Sequence, residues 1–264
     1  MDGWELAGGA EGTAGTPSDA DPGIASFGRG DVAAAVVSLS GRHADGRDAD
    51  YLRWHVLDHL PEQYRLRGLR LGQRWVSTPA CRAARVASAS RYDGVDHVVQ
   101  YLFAEPVDDA LARFFPLGAA LGGLGRMSMR LPRVEVGGWR LEEAVAAERV
   151  LVGAAVLPWR PAAGAYLVVE ETPPSPGSGD LDDLVRVPGV IGAWVYRGAE
   201  PRHERMASTA GLRLTVCYLD RDPVEVAGLL SPTLARRWAG GSVTPLLAGP
   251  FERVVPGQWD LHLP

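Results

Sequence analysis

A succession of short strand and helix signals runs through this chain twice, about 120 residues apart. That recurrence limits the possible folds more than any single motif. In the first pass Val32–Leu39, a short apolar run bounded by Gly30 and Gly41, predicts a buried strand. A helix follows, with Asp48 or Asp50 as its cap, an apolar side made by Leu52, Val56 or Leu57, and Leu60, and a length limited by Pro61 and Gly68. Leu69–Val76 alternates and predicts a second strand, and Asp96–Phe103 a third. Pro106 to Asp109 opens a helix through Ala110, Leu111, Phe114 and Phe115, and Val134 to Ala144 holds a fourth strand around Trp139. In the second pass Tyr166–Glu170, Leu181–Gly189, Val190–Tyr196, Leu212–Leu219 and Val224–Trp238 take the same places in order, and Trp259 stands opposite Trp139. The best register sets Tyr101, Leu102 and Pro106 against Tyr218, Leu219 and Pro223.

The order β-α-β-β-α-β is the ferredoxin-like pattern, two βαβ units on one antiparallel sheet. The expected organisation is a disordered tail over residues 1–30, a first ferredoxin-like repeat over 31–160 and a degenerate second repeat over 161–264. The tail is Gly, Ala, Ser, Thr, Pro and acids, too poor in apolar surface to offset its ordering entropy. The repeats differ at one place. Pro173 to Gly179 stands where the first repeat has Tyr51 to His59, and Asp180 falls opposite His59. A functional site therefore belongs to the first repeat.

Composition excludes some classes. The net charge of −5 argues against a general nucleic-acid or anionic-membrane binder. All 27 basic residues are Arg, so there is no lysine for a Schiff base or a P-loop. Cys81 and Cys217 are far apart and outside zinc spacing, which predicts two packed thiols. The acidic start Met1-Asp2-Gly3-Trp4-Glu5 lacks the pattern of a secretory signal, and no apolar run approaches a membrane span, so a cytoplasmic location is expected.

Trp54-His55-Val56-Leu57-Asp58-His59-Leu60-Pro61-Glu62, then Gly68 and Arg74-Trp75, resembles the EthD-like branch of the dimeric α+β barrel superfamily. Its usual pattern is a Trp, an acid-His pair, Leu-Pro, then a Gly before an Arg-containing strand. Here Asp58 takes the usual Glu place and His55 stands where an aromatic is common. The resemblance implies an α+β fold in which the two repeats close face to face as a barrel within one chain, a monomeric pseudo-dimer or weak homodimer. It also implies a pocket between each sheet and its helices. Similar folds serve cofactor-free oxygenases, polyketide cyclases, aldoxime dehydratases, haem-degrading enzymes and proteins of no known reaction, so fold alone does not fix function.

His55, Asp58, His59 and Glu62 share one face at i, i+3, i+4, i+7. Four readings fit. His59 is a general acid/base oriented by Asp58 or Glu62, with Trp54, Trp75 and Tyr101 walling an aromatic pocket. Or His59 bonds backbone at the helix end, His55 faces solvent and Trp54 packs in the core. A metal is held by the two histidines. Or His59, His97 or His203 ligates haem. His97 shares strand parity with Tyr101, and Arg74 shares a sheet face with Arg70, where both could bind a carboxylate if that face is inward. The preferred expectation is a small-molecule enzyme without a tightly bound cofactor, working by proton transfer as a cyclase, dehydratase or oxygenase. The alternative is a non-catalytic ligand-binding protein.

Overall fold

The computed structural model describes residues 31–127, 129–171 and 180–263. The expected tail over 1–30 and the stretch Pro173 to Gly179 lie outside the described residues. The elements are β1 (Val32–Ser40), α1 (Asp48–Trp54), a π-helical turn (His55–His59), α2 (Leu60–Gln63), β2 (Leu69–Val76), α3 (Pro79–Ala83) and β3 (Ala87–Ser88). They continue with β4 (His97–Ala104), α4 (Val107–Gly123), β5 (Arg133–Ala146), β6 (Gly164–Glu171), α5 (Asp180–Val185), β7 (Val190–Gly198), β8 (Leu212–Leu219), α6 (Pro223–Trp238) and β9 (Thr244–Arg253).

The strands run β2-β4-β1-β5-β7-β8-β6-β9, and β9 pairs back onto β2. Eight antiparallel strands thus close into a barrel, with the two-residue β3 attached to β9. The order within the first four, β2-β4-β1-β5, is matched position for position by β7-β8-β6-β9. One seam is long, β5 on β7 from Trp139↔Gly198 to Ala146↔Gly192. The other is short, Trp75↔Arg253 and Val76↔Glu252. The short seam closes the barrel at one end of β2 and, among the described residues, leaves Leu69 to Arg74 without a strand partner on that side. No helix among the described residues is long and apolar enough to cross a membrane.

Gln100 on β4 donates a 2.9 Å hydrogen bond to the Tyr196 hydroxyl on β7. These strands are not neighbours, so the bond crosses the barrel and identifies the inward faces. By alternation Val98 and Leu102 point inward with Gln100, while His97, Val99, Tyr101 and Phe103 point out toward the helices. Tyr218 meets Trp194 at 6.3 Å on β7, two residues from Tyr196 and on its face. Tyr101 therefore faces the helices and Tyr218 faces the interior. The expected register between the two halves is one residue out, and a one-residue slip in a strand inverts the face. Trp259 also fails as a counterpart of Trp139. It lies in a 3₁₀ turn beyond the end of β9, packed with Leu52, Val76, Val254 and Leu263.

Pro61 does not end the first helix. Lacking an N–H, it cannot bond the Leu57 carbonyl, and its ring would crowd that group in an α-helix. The backbone instead widens into a π turn in which Leu60 N–H bonds His55 O, and the helix runs on to Gln63. Asp48 and Asp50 do not cap it, since the cap position is Arg47 with no side-chain bond. The second helix is longer than expected and carries the Gly-rich stretch to Gly123.

The two halves cover their outer sheet faces differently. In the second, Val226, Ala227, Leu230 and Leu234 of α6 are fully buried. The backbone there is so close that a Cβ on Gly189 would lie 2.4 Å from Val226. In the first, Phe114 and Phe115 of α4 are only half-buried, and a space remains beneath them.

Close approach at the long seam makes one glycine indispensable. A Cβ on Gly198 would meet the fixed Thr209 carbonyl oxygen at 1.8 Å, whereas one on exposed Gly228 of α6 meets nothing within 4 Å. Gly198→Ala is expected to lower unfolding free energy by about 1–3 kcal/mol. Gly228→Ala should raise it by up to about 1 kcal/mol. Denaturant midpoints of the two variants test this; equal effects would contradict the assigned packing.

Candidate functional site

A cavity of about 670 Å³ lies between the outer face of β1, β4 and β5 and the helices of the first half. Val36, Ser38, Val99 and Tyr101 form its floor, Tyr51, Trp54, His55 and His59 one wall, and Phe114, Phe115 and Met127 the opposite side. The π turn shapes that wall. With more than four residues per turn, positions i and i+4 come nearly into line, and the His55 and His59 rings lie 5.3 Å apart. Trp54 stacks on His59 at 5.1 Å and 25°, its indole N–H bonded to the Arg126 carbonyl at 3.0 Å.

Each histidine has one anchored nitrogen. His55 Nε2 lies 3.0 Å from the Tyr101 hydroxyl, and His59 Nε2 lies 3.2 Å from the Gln63 amide. Nδ1 of both rings is buried and has no hydrogen-bond partner among the described residues, and neither has Gln63 Oε1. An amide can present nitrogen or oxygen to the same neighbour by rotating. With nitrogen presented, His59 Nε2 accepts and Nδ1 carries the proton. With oxygen presented, Nε2–H donates and Nδ1 is a free base. Gln63 can therefore serve either tautomer and the imidazolium.

Arg74 lies behind the wall, donating to the Tyr51 hydroxyl at 2.9 Å and to His97 Nδ1 at 3.3 Å, with its guanidinium carbon 4.7 Å from the Tyr51 ring centre. A guanidinium only donates, so His97 Nδ1 must be bare and its proton sits on Nε2, which meets Asp48 Oδ1 at 2.8 Å. Asp48 also accepts from His43 N–H at 2.9 Å. Burial pushes the Asp48 carboxyl up, but the hydrogen bonds from His97 and the His43 N–H, with Arg42 nearby, leave it below its ordinary range. His97 is lowered by burial and by Arg74 against the pull of Asp48. A neutral His97 bonded to an ionised Asp48 is consistent with both directions.

The cavity histidines are lowered too. For His59 burial comes first, then Arg74, and its pKa falls to about 4 although Asp58 opposes the change. His55 is pushed well below its ordinary value by burial, then by Arg74, His59 and His97. Both imidazoles are unprotonated at neutral pH. They can accept a proton or share a hydrogen bond, but neither stores a proton to give.

The structure gathers four of the predicted residues, Trp54, His55, His59 and Tyr101, around the cavity. Asp58 points away and pairs with Arg126 at 3.1 Å, and Glu62 takes the same arginine at 2.7 Å. Neither carboxylate orients His59. The Arg126 contacts, first, and those of Arg65 hold the Glu62 carboxyl low. Trp75 faces the barrel interior, on the other side of β2 from the cavity. Arg74 and His97 stand behind Tyr51, and Arg70 pairs with Asp31 at 2.6 Å. His55 is buried rather than solvent-facing, and His59 bonds a side chain rather than backbone. Sequence reasoning missed Tyr51 and Gln63, whose signal was their place four residues before His55 and four after His59.

Among the described residues no three His, Cys, Asp or Glu side chains converge as a metal site. His55, Asp58 and His59 diverge because Asp58 is drawn to Arg126. The histidines considered for haem scatter as well. Both nitrogens of His97 are engaged, and His203 stacks on Phe115 at 4.0 Å with Nδ1 accepting from Arg205 N–H. Only His59 of the three lines the cavity.

The lowered histidines link pH to stability. Below about 6.5 the unfolded chain binds protons at these imidazoles that the folded chain refuses until about 4, so stability present above 6.5 is lost as pH falls through that window. For His59 the loss is on the order of 3 kcal/mol. Ring-carbon NMR should titrate His59 near 4, and His59→Gln should flatten the fall in unfolding free energy between pH 6.5 and 4. An unchanged slope would contradict the burial assigned to this ring.

No family model and no curated protein sequence matches the chain. Among solved structures, an anthrone oxidase-like protein superposes with a TM-score of 0.53 at 13% identity, covering 86% of this chain and 93% of its own. A chlorite dismutase from Candidatus Nitrospira defluvii gives a TM-score of 0.46 at 10% identity, covering 83% and 91%. At these identities the likeness is one of fold, and the first of the two supports it. The chain has a closed eight-stranded antiparallel barrel flanked by helices, and it shares that fold with the first of the two.

Proposed function

We propose that this chain is a small-molecule enzyme in which His59 acts as a general base on an aromatic or polyketide-like substrate. The observation that carries this reading is an unprotonated His59, backed by Gln63, on the wall of an open, aromatic-lined cavity. The reaction class is removal of an acidic C–H or O–H proton next to a carbonyl or aromatic ring. The proton goes to the His59 imidazole, and the substrate keeps the electron pair as an enolate or phenolate. Gln63 turns its oxygen to the Nε2–H of the resulting imidazolium. The new cation and the new anion form together, so the burial that disfavours a lone imidazolium is offset by its counterion. Tyr51, whose oxygen accepts from Arg74, has its own proton left to donate to the developing oxyanion.

From the enolate two outcomes open, ring closure onto a second carbonyl or reaction with dioxygen. In the second a methylene becomes a carbonyl and the other oxygen atom leaves as water. A dehydratase step needs a proton donor at the leaving hydroxyl, a poor match to an imidazole this low. Asp58 is a positioning residue in this reading. It holds Arg126, whose carbonyl holds Trp54 against His59. No tightly bound cofactor is required. The two halves are read as copies of one ferredoxin-like unit, the EthD-like motif being kept in the first, so that a single chain makes the barrel.

The name of the structural neighbour suggests anthrone, a tricyclic ketone with an acidic methylene, as the first compound to try. Oxygen uptake and product absorbance should show turnover. His59→Gln should cut kcat by about 10²–10⁴-fold with substrate binding kept. Gln63→Glu should raise the His59 pKa and move the rise of kcat/KM, which begins near pH 4 in the parent, to higher pH. Undiminished turnover by His59→Gln would end the general-base reading. Binding across a panel of aromatic ketones with no turnover of any would leave a non-catalytic ligand-binding protein.

A further inference from the structure

The chain carries 32 acidic and 27 basic residues, yet among the described residues no carboxylate lines the cavity while Arg130, Arg133 and Arg205 do. None of these three arginines makes an ion pair among the described residues. Arg205 comes from the second half of the chain, on the loop between β7 and β8, and that loop is fastened over the first half. Ala207 N–H bonds Val136 O at 2.8 Å, and Thr209 Oγ1 bonds Gly138 O at 2.7 Å. Next to it His203 stacks on Phe115, itself a cavity residue. Arg133 donates to the Arg205 carbonyl at 3.3 Å, which ties two of the three together. Three like charges held round one cavity repel one another, and the arrangement is relieved by an anion among them. Deeper in, Arg74 adds a fourth positive charge behind Tyr51, and Asp48, which His97 links to it, is paired with Arg42.

From this we infer that the cavity selects an aromatic carboxylate. The planar apolar body lies between Phe114 and the Trp54–His59 stack, and the carboxylate is taken by the arginines, whose forks match its two oxygens. The inference rests on the cavity being the substrate site. It deepens the proposed function by naming the ligand class, a keto-aromatic acid rather than a neutral ketone.

Two fluorescent probes of nearly equal size test the point, anthracene-9-carboxylate and the neutral anthracene-9-methanol. The parent protein should bind the carboxylate about tenfold more tightly or better, a difference of about 1.4 kcal/mol. The preference should shrink as salt is raised. In R130Q/R133Q/R205Q the carboxylate should lose that advantage while the alcohol binds as before. The single variant Arg130→Glu, at an exposed position, should weaken the carboxylate alone. Equal affinities in the parent, or equal losses for both probes in the variants, would overturn the inference. A His59→Gln variant separates it from the catalytic reading, because it should keep the carboxylate preference while losing turnover. Turnover of neutral and acidic ketones with equal kcat/KM would remove the anion selectivity and leave the general base standing.

Discussion

Closure of the sheet is the constraint on which the rest of the structure depends. Eight strands return on themselves, along a long seam between β5 and β7 and a short one between β2 and β9. They leave one interior to fill and one outer surface to cover. The interior is filled from both halves, with Gln100 of the first bonded to Tyr196 of the second across it. The outer surface must be covered by helices, and the two halves do this unequally. α6 packs so tightly that Gly189 has no room for a side chain. On the other half the helix made of α1, the π turn and α2 sits at one side, α4 at the other, and the sheet between them is left open to the cavity. An all-antiparallel barrel can tolerate this because its strands are held by their neighbours and by the interior core, not by the helices.

The second governing interaction is the buried charge of Arg74. It lies between Asp48, reached through His97, and Tyr51 on the cavity wall. Asp48 is itself paired with Arg42 at 3.4 Å, and His97 links that carboxylate to Arg74. The consequence for the cavity follows from distance and sign. A fixed cation next to two imidazoles penalises their protonation on top of burial, which is why His55 and His59 are bases without protons. The same web supplies structural rigidity and sets the proton state of the wall.

The succession of strands and helices was legible in the sequence because period-two alternation and turn residues are local signals. The roles of the acids were not. Asp58 and Glu62 share a helical face with His59 on paper, but the π turn changes the angle per residue, and Arg126, distant in sequence, draws both carboxylates away. Trp75 belongs to the Arg74-Trp75 part of the motif and is expected in the pocket wall; strand parity puts it beside Gln73 in the barrel, opposite Arg74. The Tyr101 and Tyr218 pairing failed for the same kind of reason. Short strands align about equally well at neighbouring registers, and only the bond across the interior shows which residues face in. Asp48 looked like a helix cap, and its burial against His97 depends on a strand about fifty residues away.

A general base and an anion site place opposite demands on one cavity. Positive charge near His59 makes it a weaker base, so an enzyme gains nothing from arginines at the wall unless the substrate brings the compensating charge. Here the arginines at the mouth are exposed and screened by water when the cavity is empty, whereas Arg74 is buried and acts at all times. A bound carboxylate would neutralise the outer cations and exclude water, leaving the wall closer to neutral as a proton reaches His59. The imidazole would then be a better base with substrate present than without it. On these grounds the apparent pKa governing kcat should lie above the value near 4 that governs the free protein, a separation that the two pH profiles report directly.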